Sequence, residues 1–188
     1  VLAFGIFLTL LATAVPAFRE MAALASAGLP VITACPSHVY GPDHPHSPNR
    51  LTSQIRRLLR SRVGIVIGGG NSRRSLAYVE DVARGLLLAE KRGIPGESYI
   101  LSGEDASHRE FGRLVRRLAG KPDGPFLSVP LPLALAAARL ADRLRGYDRG
   151  AGHATAVRML CAEWCYSSEK ASKRLGYAPV SLALGLGR

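Results

Sequence analysis

Cysteine is scarce, with three residues in a chain of 188, and an odd, sparse set cannot build a disulfide scaffold. Thiols in that number suit a reducing compartment, so the expected location is cytoplasmic. Acidic residues are also few: 14 Asp and Glu stand against 25 Lys and Arg, for a formal net charge of +11. Aromatics make up only 6%. A basic chain raises the question of nucleic acid, but the basic residues are scattered from Arg19 to Arg188. The densest run, Arg50, Arg56, Arg57, Arg60 and Arg62, has no aromatic side chains interleaved for base stacking. Arg outnumbers Lys 21 to 4, which fits codon bias better than a selected phosphate grip. No nucleic-acid partner is expected. Also missing are G-x-G-x-x-G, G-x-S-x-G, C-x-x-C and any internal repeat. What remains, 47% hydrophobic and 21% charged, is the composition of an ordinary globular chain, which excludes a disordered tail, a collagen-like repeat and a coiled coil.

Residues 1–18 carry no charge and would span about 27 Å as a helix. Three readings stay open for this segment. It is a membrane or signal segment, with Ala12-Thr13-Ala14 as a small-residue cleavage site although no Lys or Arg precedes it. It is a buried core segment. Or it is an artefact of a truncated or mis-started frame, which the initial Val suits. The expected organisation is therefore an apolar segment over 1–18 followed by one domain over 19–188, with membrane association through 1–18 as the alternative to a cytoplasmic location.

From Arg19 the pattern alternates. Residues 19–27 are helix-prone and stopped by Gly28. Leu29–Cys35 is apolar and β-branched, as in a buried parallel strand. Residues 36–48 hold four prolines and a glycine and are predicted to be a loop. A helix is expected over 49–60, a strand over 63–67, a turn at Gly68–Gly70, a strand over 75–79 and a helix over 80–92. Then come a strand over 98–102 and a helix opened by a Ser107/Glu110 capping box. Residues 122–130 are expected to be a linker, 131–144 a helix, 146–152 flexible, and 167–175 a last helix. The class is α/β: a partial Rossmann-type parallel sheet with a small, mostly helical subdomain.

Several constellations invite chemistry. Gly68-Gly69-Gly70 reads as a tight turn before a phosphate nest, because no helix start follows at the needed distance. His38, His44, His46 and Asp43 share one stiff loop, but no second ligand group is visible, so no metal site is assigned. Cys161 and Cys165 are four apart on one predicted helix face and read as core thiols. Tyr166 and Lys170 have the Tyr-x-x-x-Lys spacing at which an ammonium lowers a phenol pKa. Lys170 falls in the first turn of a short helix, and the pair reads as a decoy.

Four segments, taken in order, carry a resemblance. They are Pro36-Ser37-His38-Val39-Tyr40-Gly41-Pro42; Arg74-Ser75-Leu76-Ala77-Tyr78-Val79-Glu80-Asp81-Val82-Ala83; Gly96-Glu97-Ser98-Tyr99-Ile100-Leu101; and Ser168-Glu169-Lys170-Ala171 with Leu175-Gly176-Tyr177-Ala178-Pro179. Over residues 19–179 the chain resembles the C-terminal portion of the extended short-chain dehydrogenase/reductase family: NAD-dependent epimerases/dehydratases and dihydroflavonol-reductase-like or hopanoid-associated sugar-epimerase-like members.

The resemblance implies an NAD(P)-dependent oxidoreductase or isomerase acting on a sugar nucleotide or an alcohol/ketone, with NAD and NADP not distinguished. It also implies that the Gly-rich cofactor turn and the catalytic Tyr-x-x-x-Lys are absent. The helix before the first strand would carry that pair, and here the place of the Lys falls near Val15 with no Tyr before it. No catalytic residue is therefore assigned, and the chain alone is expected to be inactive. Pro36, Ser37, His38 and Val39 would abut the nicotinamide, in keeping with ligands collecting at the carboxyl ends of parallel strands. Tyr40 and Arg74 would lie on the substrate side, with Arg74 holding phosphate or, alternatively, pairing with Glu80 or Asp81. Asp81 is expected to cap or anchor its helix. The substrate is a small molecule, and a homodimer is left open. The rival reading is a non-catalytic, membrane-tethered binding remnant.

Overall fold

The computed structural model describes residues 11–42, 50–146 and 152–188. In chain order the elements are α1 (Leu11–Ser26), β1 (Thr33–Pro36), β2 (His38–Tyr40), α2 (Arg50–Arg60), β3 (Gly64–Ile67), β4 (Arg73–Tyr78), α3 (Val79–Arg92) and β5 (Ser98–Leu101), followed by β6 (Glu104–Ser107), α4 (His108–Leu118), β7 (Phe126–Val129), α5 (Leu131–Arg145), α6 (His153–Cys161), α7 (Glu169–Leu175) and α8 (Leu182–Leu186). They fall into two compact units, one of residues 11–42, 75–104 and 166–188 and one of residues 50–74, 105–146 and 152–165.

In the first unit β1 runs parallel to β5, with Thr33 opposite Ser98 and Pro36 opposite Leu101. β2 runs parallel to β4, with His38 opposite Leu76 and Tyr40 opposite Tyr78. Strand order in that second sheet is β2–β4–β6. The predicted strand at 29–35 begins later, at Thr33, with Gly28 to Ile32 outside the ladder. Among the described residues, β1 is paired on one edge alone. The core is made where α3 and α7 cover these strands: Ala77, Val82, Ala89, Tyr99, Leu101, Ala171, Leu175 and Tyr177 are all buried together. Helix α3 follows the 3.6-residue rhythm of its apolar positions. Asp81, buried in its first turn, accepts the Val180 N–H at 2.8 Å and pairs with Arg84. Asp81 thus anchors the C-terminal segment; Tyr78 takes the N-cap position, and no side chain caps the helix.

In the second unit β3 runs parallel to β7, with Gly64 opposite Phe126 and Ile67 opposite Val129. β7 lies inside the stretch predicted to be a linker, because pairing with a distant strand, rather than local propensity, makes it extended. Arg109 and Arg116 lie over the Phe126 ring at 5.8 and 5.7 Å. The capping box forms: Glu110 N–H donates to Ser107 Oγ, and Ser107 N–H donates to Glu110 Oε2 at 2.8 Å. Helices α5 and α6 pack together, and the Asp142 carboxylate near the end of α5 accepts the His153 and Ala154 N–H groups at the start of α6.

Residues 1–10 lie outside the described residues, and no described helix is long and apolar enough to cross a membrane.

Candidate functional site

β1 and β2 are separated by a single residue, Ser37, and at that residue the chain changes partner. Pro36 is still opposite Leu101 of β5, and the Ser37 N–H donates to Leu101 O at 3.1 Å. His38 is already opposite Leu76 of β4. The stretch predicted to be a loop is therefore extended as far as Tyr40, since β4 supplies ladder partners that proline content could not reveal. Parallel strands parting in this way is the arrangement beside which α/β folds collect ligands.

The candidate residues occupy this junction with different surroundings. Pro36 ends β1. The Ser37 Oγ is buried and has no hydrogen-bond partner among the described residues. His38 opens β2, half-buried. Val39 packs against the buried cluster around Ala77 and Val82, so its backbone is what it can offer a ligand. Tyr40 is buried with its ring 5.7 Å from that of Tyr78. Burial, with Asp81 and Glu104 nearby, pushes its phenol pKa well up. A β-carbon at position 185 would collide with the Tyr40 hydroxyl, so Gly185 of α8 is what lets this tyrosine sit where it does.

Arg74, in the second unit, is 7% exposed. Its Nη2 donates to Gln54 Oε1 at 3.1 Å and its guanidinium lies 5.9 Å from the Phe111 ring centre. Its Nε has no hydrogen-bond partner among the described residues. Burial lowers its pKa to about 10. Within the first unit Glu80 holds Arg188 at 3.2 Å, and Asp81 holds Arg84. Among the described residues Arg74 is thus a buried cation whose side-chain hydrogen-bond partner is neutral, an arrangement that favours an anion. Gln54 and Phe111 were not singled out from sequence. Gln54 had a readable signal, since it is a polar residue on the α2 face that also carries Leu51, Ile55 and Leu58.

The remaining motifs resolve as structure. Gly68, Gly69 and Gly70 form a tight turn with φ of 59°, 86° and 70°, which suits glycine, and no helix start follows. Gly69 N–H donates to Ser128 Oγ at 3.0 Å, and Gly69 O accepts from Arg109 Nε. Cys161 ends α6 and Cys165 lies beyond it in irregular backbone, so the two do not share a helix face. Tyr166 and Lys170 do not share one either. Tyr166 precedes α7, with its N–H bonded to Ser75 Oγ at 2.8 Å and its carbonyl accepting from Ser102 Oγ at 2.7 Å. Lys170 lies 3.6 Å from Glu97 and 4.9 Å from the Tyr99 ring centre. Asp43, His44 and His46 lie outside the described residues, and no metal-ligating cluster occurs among those described.

Comparison with known proteins follows the same lines. Residues 17–102 match the model of the NAD dependent epimerase/dehydratase family. The dTDP-glucose 4,6-dehydratase of Escherichia coli is 35% identical over 104 residues, 52% of this chain and 28% of that enzyme. The 4-hydroxy-2-methyl-3-oxo-4-farnesyl-3,4-dihydroquinoline-1-oxide ketoreductase of Stigmatella aurantiaca is 28% identical over 156 residues, 80% of this chain and 45% of that enzyme. The crystal structure of gox2253 superposes with a TM-score of 0.69 at 27% identity, covering 90% of this chain and 51% of that one. The chain spans about half, or less, of the length of these relatives. Over residues 17–102 the chain is thus similar to the NAD dependent epimerase/dehydratase family, and its parallel α/β architecture is shared with the solved relative.

Proposed function

We propose that this chain supplies the nicotinamide-facing strand junction and the substrate-phosphate arginine of an NAD(P)-dependent enzyme acting on a sugar nucleotide. The observation that carries the reading is the parting of β1–β5 from β2–β4 at Ser37, with a buried hydroxyl there that lacks a partner among the described residues. A nicotinamide fits this place chemically, because its carboxamide offers both a donor and an acceptor to such a hydroxyl. When bound it takes up and returns hydride.

The protein's own part is positioning. Pro36 stiffens the approach, Ser37 offers the hydroxyl, and His38 and Val39 hold the backbone in the β4 ladder. Tyr40, braced on Tyr78 and Gly185, fixes the floor beneath the substrate side. Arg74 binds a substrate phosphate through its unmatched guanidinium edge, with Gln54 and Phe111 setting its orientation. α1 contains neither Tyr nor Lys, so the proton-moving pair expected before β1 is not in that helix, and the chain alone should not turn over. A ketone or alcohol substrate is the second reading, favoured by the ketoreductase match across 80% of the chain.

An NMR titration tests the assignment. NADH should shift resonances of residues 36–39, and a nucleoside diphosphate should shift the Arg74 side chain, an effect lost in Arg74→Met. Shifts confined to other residues, or none at saturating ligand, would remove the proposal.

A further inference from the structure

Helix α5 presents an apolar stripe away from its own packing. Its inner side carries Ala138, buried, with half-buried Leu131, Ala134 and Leu135. Leu133, Leu140 and Leu144 are 62%, 59% and 79% exposed. At 100° per residue these three fall within a narrow sector, joined by exposed Ala136 and Ala137. The stripe runs about 16 Å along the helix. Three leucines aligned in water on one helix form a patch that calls for a partner.

The charges beside the stripe say which partner. Exposed Arg139 and Arg143 border it on one side and Arg145 on the other. The helix has a single acid, Asp142, which is turned to the α6 N-terminus, where it accepts the His153 and Ala154 N–H groups and faces the His153 ring at 2.7 Å. Along α5 the described charges that border the stripe are therefore all cations. A second copy docked on this face by a two-fold axis would bring arginines toward arginines. An anionic lipid surface would accept both features, with leucines entering the acyl boundary and guanidinium groups meeting headgroup phosphates. With 15 residues, about 22 Å, and four ionisable side chains, the helix would lie on the bilayer rather than cross it.

We propose that α5 is a membrane-surface docking helix that binds anionic bilayers in the interfacial plane. Its leucines supply the insertion and its arginines the preference for negative headgroups.

Vesicle sedimentation tests this with the full chain. The protein should pellet with phosphatidylcholine vesicles containing phosphatidylglycerol and much less with phosphatidylcholine alone. The double variant Leu140→Gln/Leu144→Gln, both positions being exposed, should keep its circular dichroism and lose about tenfold or more in partitioning. Arg139→Gln/Arg143→Gln should lose the preference for the anionic vesicles. Three results would each overturn the proposal: absence of binding, unchanged binding of the leucine variant (which would place the lipid contact elsewhere in the chain), and a leucine-dependent self-association without vesicle binding, which would mark the stripe as a contact between copies.

Discussion

Asp81 and Arg74 are two buried charges that the protein treats in opposite ways. Asp81, in the first unit, is saturated: it pairs with Arg84 and accepts the Val180 N–H, tying α3 to the C-terminal segment. Arg74, in the second unit, has a neutral amide, an aromatic face and a nitrogen without a partner among the described residues. A carboxylate with a partner on each oxygen holds the fold together. A guanidinium left short of an anion costs stability and is explained by what it can bind. The same degree of burial therefore marks a structural charge in one unit and, on the function proposed above, a recognition charge in the other.

Substitutions can break that contrast. Phe111→Ala should have the largest effect, about 3–5 kcal/mol by urea unfolding, because it empties a fully buried position and removes the ring under Arg74. Asp81→Ala should cost about 3 kcal/mol in the same measurement, since it leaves the Val180 N–H and Arg84 without their acceptor. If Asp81→Ala melts like the wild type, that carboxylate is not an anchor. Ser107→Ala should cost about 1 kcal/mol through loss of the α4 cap.

Glu110, in the same box, gives the pH dependence. Hydrogen bonds from Ser107 hold its carboxyl below the ordinary 4.5. A depressed folded-state pKa means the ionised form stabilises the fold above about pH 4.5, and that contribution disappears as pH falls through the lower folded value. Wild-type and Glu110→Gln melting curves should converge on acidification; a constant gap would argue against it. Arg74→Met should have the smallest effect on stability, near zero or a slight gain, while abolishing the nucleoside-diphosphate shift. Loss of several kcal/mol there would make Arg74 another structural charge and erase the distinction.

The legibility of the sequence follows the range of the interactions. The α4 capping box is a four-residue signal and was readable from Ser107 and Glu110. α2 and α3 were readable from apolar positions recurring at helical spacing. β2, β6 and β7 were not. His38–Tyr40 sits among prolines and becomes a strand only through Leu76–Tyr78, and Phe126–Val129 only through Gly64–Ile67. α6 and α8 are short and lack a strong local pattern. At the candidate site the residue types at 36–39 and 74 were legible from motif order. The partner exchange at Ser37, the burial of Arg74 and its Gln54 and Phe111 supports required chain segments far apart to meet.

Tyr166 is gripped by two serines, Val180 and Leu182 hand their N–H groups to Asp81 and Glu104, and Leu175 and Tyr177 finish the burial of the Tyr99 and Leu101 cluster. A ribosome that has not yet reached Leu182 therefore holds a first unit with an open side. Folding of that unit waits for residues 166–182, and shortening the chain before Tyr166 would strand the earlier residues as a sticky intermediate.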